Sequence, residues 1–162
     1  MKKIIVENMK IEIRQAEISD LVVLKKFEQE IIRFERHFDP NLRKDPIEYY
    51  DIVNLIKRED AMMLVATINS EIVGSGYALT KNNQTFYKNS EYAYLGFMYV
   101  LPEYRRRGVN GKIIDRLISW SRNRGLTEVQ LNVYSENISA INAYKKKKFK
   151  PSGLNMILNT VE

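Results

Sequence analysis

Arg105, Arg106, Arg107, Gly108, Val109, Asn110, Gly111 and Lys112 form a basic, glycine-containing stretch directly after Pro102, Glu103 and Tyr104. Residue types of this kind suit the binding of an anion. Glycine brings a backbone N–H close to its target, and Arg and Lys add charge and donors that reach a phosphate or pyrophosphate. Residues 94–100 before the stretch are an aromatic and apolar run of strand length, while Ile113, Ile114, Leu117 and Ile118 after it repeat at helical spacing. The stretch therefore opens a helix, whose first N–H groups have no intrahelical partner and carry partial positive charge. It reads as the seat of a phosphorylated cofactor; the alternative is a solvated basic loop at the start of a surface helix.

A second motif follows. Residues 128–134 alternate as a strand, and Ser135, Glu136 and Asn137 lead into a helix containing Ala140 and Tyr144. The pair resembles the GNAT superfamily of N-acetyltransferases, whose acetyl-CoA loop has the form Arg/Gln-x-x-Gly-x-Gly/Ala and whose later helix has Asn-x-x-Ala-x-x-x-Tyr followed by Gly-Phe. Arg105 and Gly108 match the first pattern, and Asn137, Ala140, Tyr144 and Phe149 match the second. The resemblance extends from about Ile11 to the C-terminus and is sharpest between Met98 and Phe149.

The resemblance implies an α/β (α+β) fold, with a mixed, mostly antiparallel sheet flanked by helices and splayed at the strand ending near Val100. It implies acetyl-CoA as cosubstrate, held by Met98, Tyr99, Val100, the 105–112 stretch, Asn137, Ala140 and Tyr144. The acetyl group would pass directly to a primary amine of a small molecule, protein or peptide. Backbone N–H groups around Tyr99 and Val100 would bond the thioester oxygen, and Tyr144 would serve as general acid. An ordinary phenol, with a pKa of about 10, is protonated at neutral pH and can supply a thiolate. The alternative for Tyr144 is packing alone, and Asn137 is read as a helix N-cap, a cofactor contact or both.

Three positions depart from the family pattern. Asn110 stands for the third small residue of the loop, and Lys148 stands for the Gly before Phe149. Where many relatives carry a catalytic Glu or Asp on the strand, this chain has Gly96 and Phe97. Glu91, Glu103 and His37 are the remaining candidates for a base, none at the family's position, and a water chain is a further route. The missing acid motivates an alternative, a weakly catalytic or non-catalytic acyl-CoA-binding domain.

Composition narrows the field. The 162 residues suit one domain, with residues 1–9 as an N-terminal extension, and 44% hydrophobic content supports a buried core. No apolar run approaches the roughly 20 residues that span a bilayer, and residues 1–7 lack the pattern of a signal peptide, so a cytoplasmic, membrane-free protein is expected. With no cysteine and one histidine, a cysteine acyl-enzyme is excluded and no metal site is expected. The net charge of +6 concentrates in residues 105–112 and 145–150. Tetra-anionic coenzyme A accounts for positive potential there, and the lysine run also suits a helix C-terminus. A nucleic-acid-binding role, which no recognised motif supports, is disfavoured. A homodimer is common in the superfamily.

The elements that must position these residues can be read in order. Residues 10–14 alternate as a strand. Ser19 caps a helix with Leu21, Leu24, Phe27, Ile31, Phe34 and Phe38 on a core-facing stripe. Asp45 and Pro46 begin a second helix carrying Tyr49, Tyr50, Val53 and Ile56, and the resemblance implies that residues 37–44 between the helices overhang the acceptor pocket as a candidate substrate gate. Strands follow at 62–68 and 72–79, joined at residues 69–71, then a polar loop over 81–90. A last strand is expected around Met156, Ile157 and Leu158.

Overall fold

The computed structural model describes residues 9–161. It contains two compact units, one ending at Asn132 and one beginning at Val133. The extension expected over residues 1–9 lies, except for its last residue, outside the described residues.

In the first unit, β1 (Glu12–Gln15), β2 (Ala61–Ile68), β3 (Glu71–Asn82), β4 (Glu91–Val100) and β5 (Val129–Leu131) form a sheet in the order β1-β2-β3-β4-β5. The first three pairings are antiparallel and β4–β5 is parallel. Asn69 and Ser70, both at positive φ (50° and 66°), make the two-residue turn between β2 and β3, the backbone twist that a tight hairpin prefers.

On one face of the sheet lie α1 (Leu21–Glu35) and α2 (Ile52–Lys57). Leu24, Phe27, Ile31, Ile52 and Leu55 pack there with Met63, Val65, Tyr77, Phe97 and Tyr99. On the other face, α3 (Val109–Asn123) buries Val109, Ile113, Ile114 and Leu117. A Cβ on Gly76 would lie 2.8 Å from Ile113 Cγ2 and 2.7 Å from Met98 Sδ, so a side chain on β3 would hold α3 away from the sheet.

The structure corrects several boundaries. A short 3-10 turn (Ile18–Asp20) precedes α1, whose N-cap position is held by Asp20 rather than Ser19, without a side-chain cap. The Arg14 guanidinium grips the Asp20 carboxylate at 2.7 and 2.9 Å. Phe34 is off the core and exposed, stacked edge-on against Phe38 at 5.3 Å. The second helix begins at Ile52, with the Asp51 side chain accepting from Asn54 N–H. Residues 46–51 stay outside the helix because the buried Glu28 carboxylate takes the N–H groups of Tyr49 (2.9 Å) and Tyr50 (2.8 Å), which a helix would need for itself.

In the second unit, α4 (Ile138–Lys146) carries the Asn137 motif. The strand expected around residues 156–158 does not form. Leu154, Met156, Ile157 and Leu158 are exposed, and an extended run without a neighbouring ladder is not a strand.

Candidate active site

The site-forming distortion lies in β4. Ser75 pairs with Tyr99 and Tyr77 pairs with Gly96, so Phe97 and Met98 together oppose Gly76: a β-bulge. Phe97 sits at φ 55°, and its carbonyl accepts from the buried Ser75 hydroxyl at 2.9 Å. The extra residue resets the side-chain alternation. Gly96 and Phe97 both meet the α1 and α2 side, where Tyr77 packs, whereas Met98 turns toward α3.

Leu101 N–H donates to Val73 C=O across to β3, so alternation points the backbone of Tyr99 to β3 and that of Met98 and Val100 to the opposite edge. Along that edge β5 pairs only with Ala93, Tyr94 and Leu95. β5 ends at Leu131, so this pairing stops at Leu95 and leaves the β4 edge open beyond it; Val100 N–H lies on that open edge, while its carbonyl accepts from Arg105 Nε at 2.9 Å. Tyr99, expected to offer a backbone N–H here, instead has its backbone in the β3 ladder and its ring 4.7 Å from Phe27.

The basic stretch begins with a 3-10 turn (Pro102–Tyr104) whose Tyr104 ring is buried and whose hydroxyl donates to Glu71 at 3.0 Å. Gly108 is the N-cap of α3 at φ 83°, a left-handed conformation that disfavours a Cβ, with open space where the Cβ would be. No side chain caps the helix, so the N–H groups of Val109, Asn110 and Gly111 point outward without an intrahelical partner. Val109 contributes only backbone, since its side chain is buried against Gly74. Arg105 is committed to Val100 and lies 5.7 Å from the Tyr99 ring centroid; Arg107 lies over Tyr104, and Arg106, Arg107 and Lys112 are exposed around the helix start. An uncapped N-terminus, an open positive-φ glycine and exposed cations fit a pyrophosphate.

Within the second unit, Asn137 is the N-cap of α4 and its side chain accepts from Ala140 N–H at 3.2 Å. Tyr144 is half-buried, with its ring edge-on to Phe149 at 5.9 Å. Lys148 N–H donates to Lys145 C=O and Phe149 N–H donates to Tyr144 C=O, closing the helix with Lys148 at φ 72°. Lys148 thus adopts the left-handed conformation for which a glycine is favoured, although it is a lysine.

A profile of the acetyltransferase (GNAT) family matches residues 24–149, most of the chain. The chain belongs to that family. An acetyltransferase of Pectobacterium atrosepticum is 32% identical over 100 residues, covering 62% of this chain and 65% of the relative. The match thus spans slightly less than two thirds of that relative's length. Among solved structures, a predicted acetyltransferase of Clostridium acetobutylicum with acetyl-CoA has a TM-score of 0.72 at 19% identity, covering 93% of this chain and 96% of the other. An aminoglycoside N-acetyltransferase in complex with CoA has a TM-score of 0.71 at 16% identity, covering 93% and 99%. These two likenesses carry the GNAT fold: a five-stranded, mostly antiparallel sheet that opens between β4 and β5.

Against the GNAT pattern, the sequence-based candidates for a base fare differently from the cofactor elements. Glu91, Glu103 and His37 are all exposed to solvent. The acid missing from β4 has a structural counterpart: a Cβ on Gly96 would lie 2.5 Å from both Cζ and the hydroxyl oxygen of Tyr77. A phenol fills the space where a side chain at position 96 would project. Sequence reading missed Tyr77 and Glu35, the last residue of α1. Glu35 is half-buried, and burial raises its carboxyl above the ordinary value; the Asp39 charge adds to this and the Tyr49 hydroxyl opposes it. The only sequence signal was a Glu closing an otherwise apolar stripe.

Proposed function

We propose that this chain is an acetyl-CoA-dependent N-acetyltransferase that moves an acetyl group directly from the thioester to a primary amine of a small molecule, protein or peptide. The observation that carries this reading is the coincidence of the β4–β5 opening, with Val100 N–H facing it, and the uncapped start of α3. The family match runs across the boundary between the two compact units, which supports treating the chain as one acetyltransferase domain.

Bound acetyl-CoA supplies an activated acyl group on a thiol leaving group. The N–H groups of Val109, Asn110 and Gly111, with Arg106, Arg107 and Lys112, would hold its pyrophosphate, and Val100 N–H would be the donor for the thioester oxygen. The family resemblance gives Tyr144 the role of donating a proton to the departing sulfur.

A thermal melt with and without acetyl-CoA tests the cofactor site. At about a hundred times its dissociation constant the ligand stabilises by about 2.7 kcal/mol, several degrees for a domain of this size. The shift is expected in the native chain and absent in Gly108→Asp, where a side chain and a negative charge enter the pyrophosphate path. A full shift in that variant would place the cofactor elsewhere.

The Tyr77 ring over Gly96 favours one other reading, an acyl-CoA-binding domain with little or no transfer, because no carboxylate can project from that position. Tyr144→Phe separates the two: turnover falling at least tenfold with the melt shift intact supports the enzyme, and unchanged turnover removes Tyr144 as acid.

A further inference from the structure

Alternation along β2 sends Met63 and Val65 to the α1 and α2 side of the sheet, so Met62 and Leu64 face the α3 side. Gln15 of β1 pairs with Leu64 and shares that face. On α3, Arg116, Ser119, Trp120 and Asn123 recur at three- and four-residue spacing and form one stripe. Between the stripe and these strand residues lies a cavity of about 400 Å³, open to solvent and of a size that takes a small organic molecule. Trp120 is about 18 Å along the helix axis from Gly108 at helical rise, so the cavity is apart from the proposed pyrophosphate site.

The lining is chemically one-sided. Met62 and the buried Leu64 make an apolar floor, and half-buried Trp120 adds a hydrocarbon wall. Around them stand three neutral polar side chains and one cation, Arg116, and no carboxylate lines the cavity among the described residues. Arg14, Arg33, Arg36 and Arg58 are each ion-paired. Arg116 has no such partner among the described residues, nor do the Gln15, Ser119 and Asn123 side chains have a hydrogen-bond partner there. Trp120, by contrast, is held. The Arg124 guanidinium lies over its ring, 4.9 Å from the centroid, and Arg124 Nη1 donates to Glu59 C=O at 3.0 Å.

These features select a ligand. A guanidinium takes a carboxylate through two parallel hydrogen bonds, neutral donors meet its remaining lone pairs, and the floor takes hydrocarbon. One lining cation balances one negative charge, so a monoanion matches the cavity where a phosphate dianion would leave charge uncompensated.

We propose that this cavity is a binding site for a small organic monocarboxylate with an apolar body, with Arg116 holding the carboxylate and Met62, Leu64 and Trp120 the hydrocarbon. The site is separate from the acetyl-CoA site and stands without the acetyl-transfer reading.

Trp120 is the only tryptophan of the chain, so its emission and its indole N–H resonance report on the cavity directly. The full chain is titrated with phenylacetate, with phenethyl alcohol as a neutral probe of similar shape, and with phenyl phosphate. Phenylacetate is expected to give a saturable response, at least about tenfold tighter than the alcohol and tighter than the phosphate ester. Arg116→Gln should remove that preference, and Arg116→Lys, which keeps the charge without the fork, should retain part of it. Ser119→Asp sets a carboxylate into the wall and should abolish phenylacetate binding, which keeps a readout if Arg116→Gln does not fold. Saturating acetyl-CoA should leave the phenylacetate affinity unchanged. No response of Trp120 to any probe, equal affinity for phenylacetate and the alcohol, tighter binding of phenyl phosphate, or native affinity in Arg116→Gln or Ser119→Asp would overturn the site. Competition with acetyl-CoA would also overturn it, by placing the probe in the cofactor site.

Discussion

The Tyr77 ring covers Gly96: a Cβ at position 96 would lie 2.5 Å from Tyr77 Cζ and 2.7 Å from Cε1. Tyr77 cannot swing away cheaply, because it is buried between Tyr50 and Tyr94. Gly96→Ala is therefore expected to cost about 1–3 kcal/mol in urea unfolding, the usual range for overpacking. Tyr77→Phe should bring no relief, since the ring carbons remain. In a Tyr77→Ala background the cost should shrink by at least about 1 kcal/mol, a coupling read from the double-mutant cycle. Equal costs in both backgrounds would mean that the two residues do not compete for space.

Glu28 fixes the approach to α2 by accepting from two successive backbone N–H groups. Its replacement by Ala leaves both donors without their carboxylate, and a loss of about 2–3 kcal/mol is expected. Glu28→Gln retains an acceptor oxygen and should lose less. Hydrogen exchange at Tyr49 and Tyr50 gives the local readout: both amides should exchange faster in Glu28→Ala.

Lys148 closes α4 at φ 72°, where an L side chain crowds its own backbone. Lys148→Gly should raise stability by about 1 kcal/mol, measured by denaturant unfolding, and Lys148→Ala should bring no such gain because the Cβ remains. Stabilisation by both substitutions alike would point to relief of lysine repulsion instead of relief of backbone strain.

Two carboxylates give opposite pH signatures. Asp20 is held below its ordinary value, first by the Arg14 hydrogen bond, so the stability it contributes is present above the unfolded carboxylate pKa of about 3.9 and is lost as pH falls through its folded value. Glu35 is raised by burial, so the folded state binds its proton more tightly than the unfolded state does. Its contribution therefore falls as pH rises from the unfolded pKa of about 4.3 through the folded value. Glu35→Gln removes that penalty and should melt higher than the native chain at pH 7, with the difference narrowing as pH falls toward 4. A lower melting temperature at pH 7 would show that the ionised carboxylate is net stabilising.

Local information carried much of this protein. The glycine and arginine types at residues 105–111 announce a basic helix start with an open glycine, as found at Gly108, because the requirement is one of backbone freedom and charge, properties that each residue brings with it. The apolar spacing of α1 and α3 and the short turn at Asn69 and Ser70 were legible for the same reason. What the sequence could not fix depends on partners distant along the chain. Pro46 looked like a helix start until Glu28 claimed the N–H groups of Tyr49 and Tyr50. The bulge at Phe97 and Met98, which decides that Val100 rather than Tyr99 faces the opening, arises from the register between β3 and β4. Gly96 read as a missing acid, whereas packing makes it the residue that admits the Tyr77 ring. The perturbed carboxyl of Glu35 likewise exists only once burial beside Asp39 and the tyrosines has removed water from it. Residue types set what each position can do, and only tertiary packing decides which groups lose water and face one another.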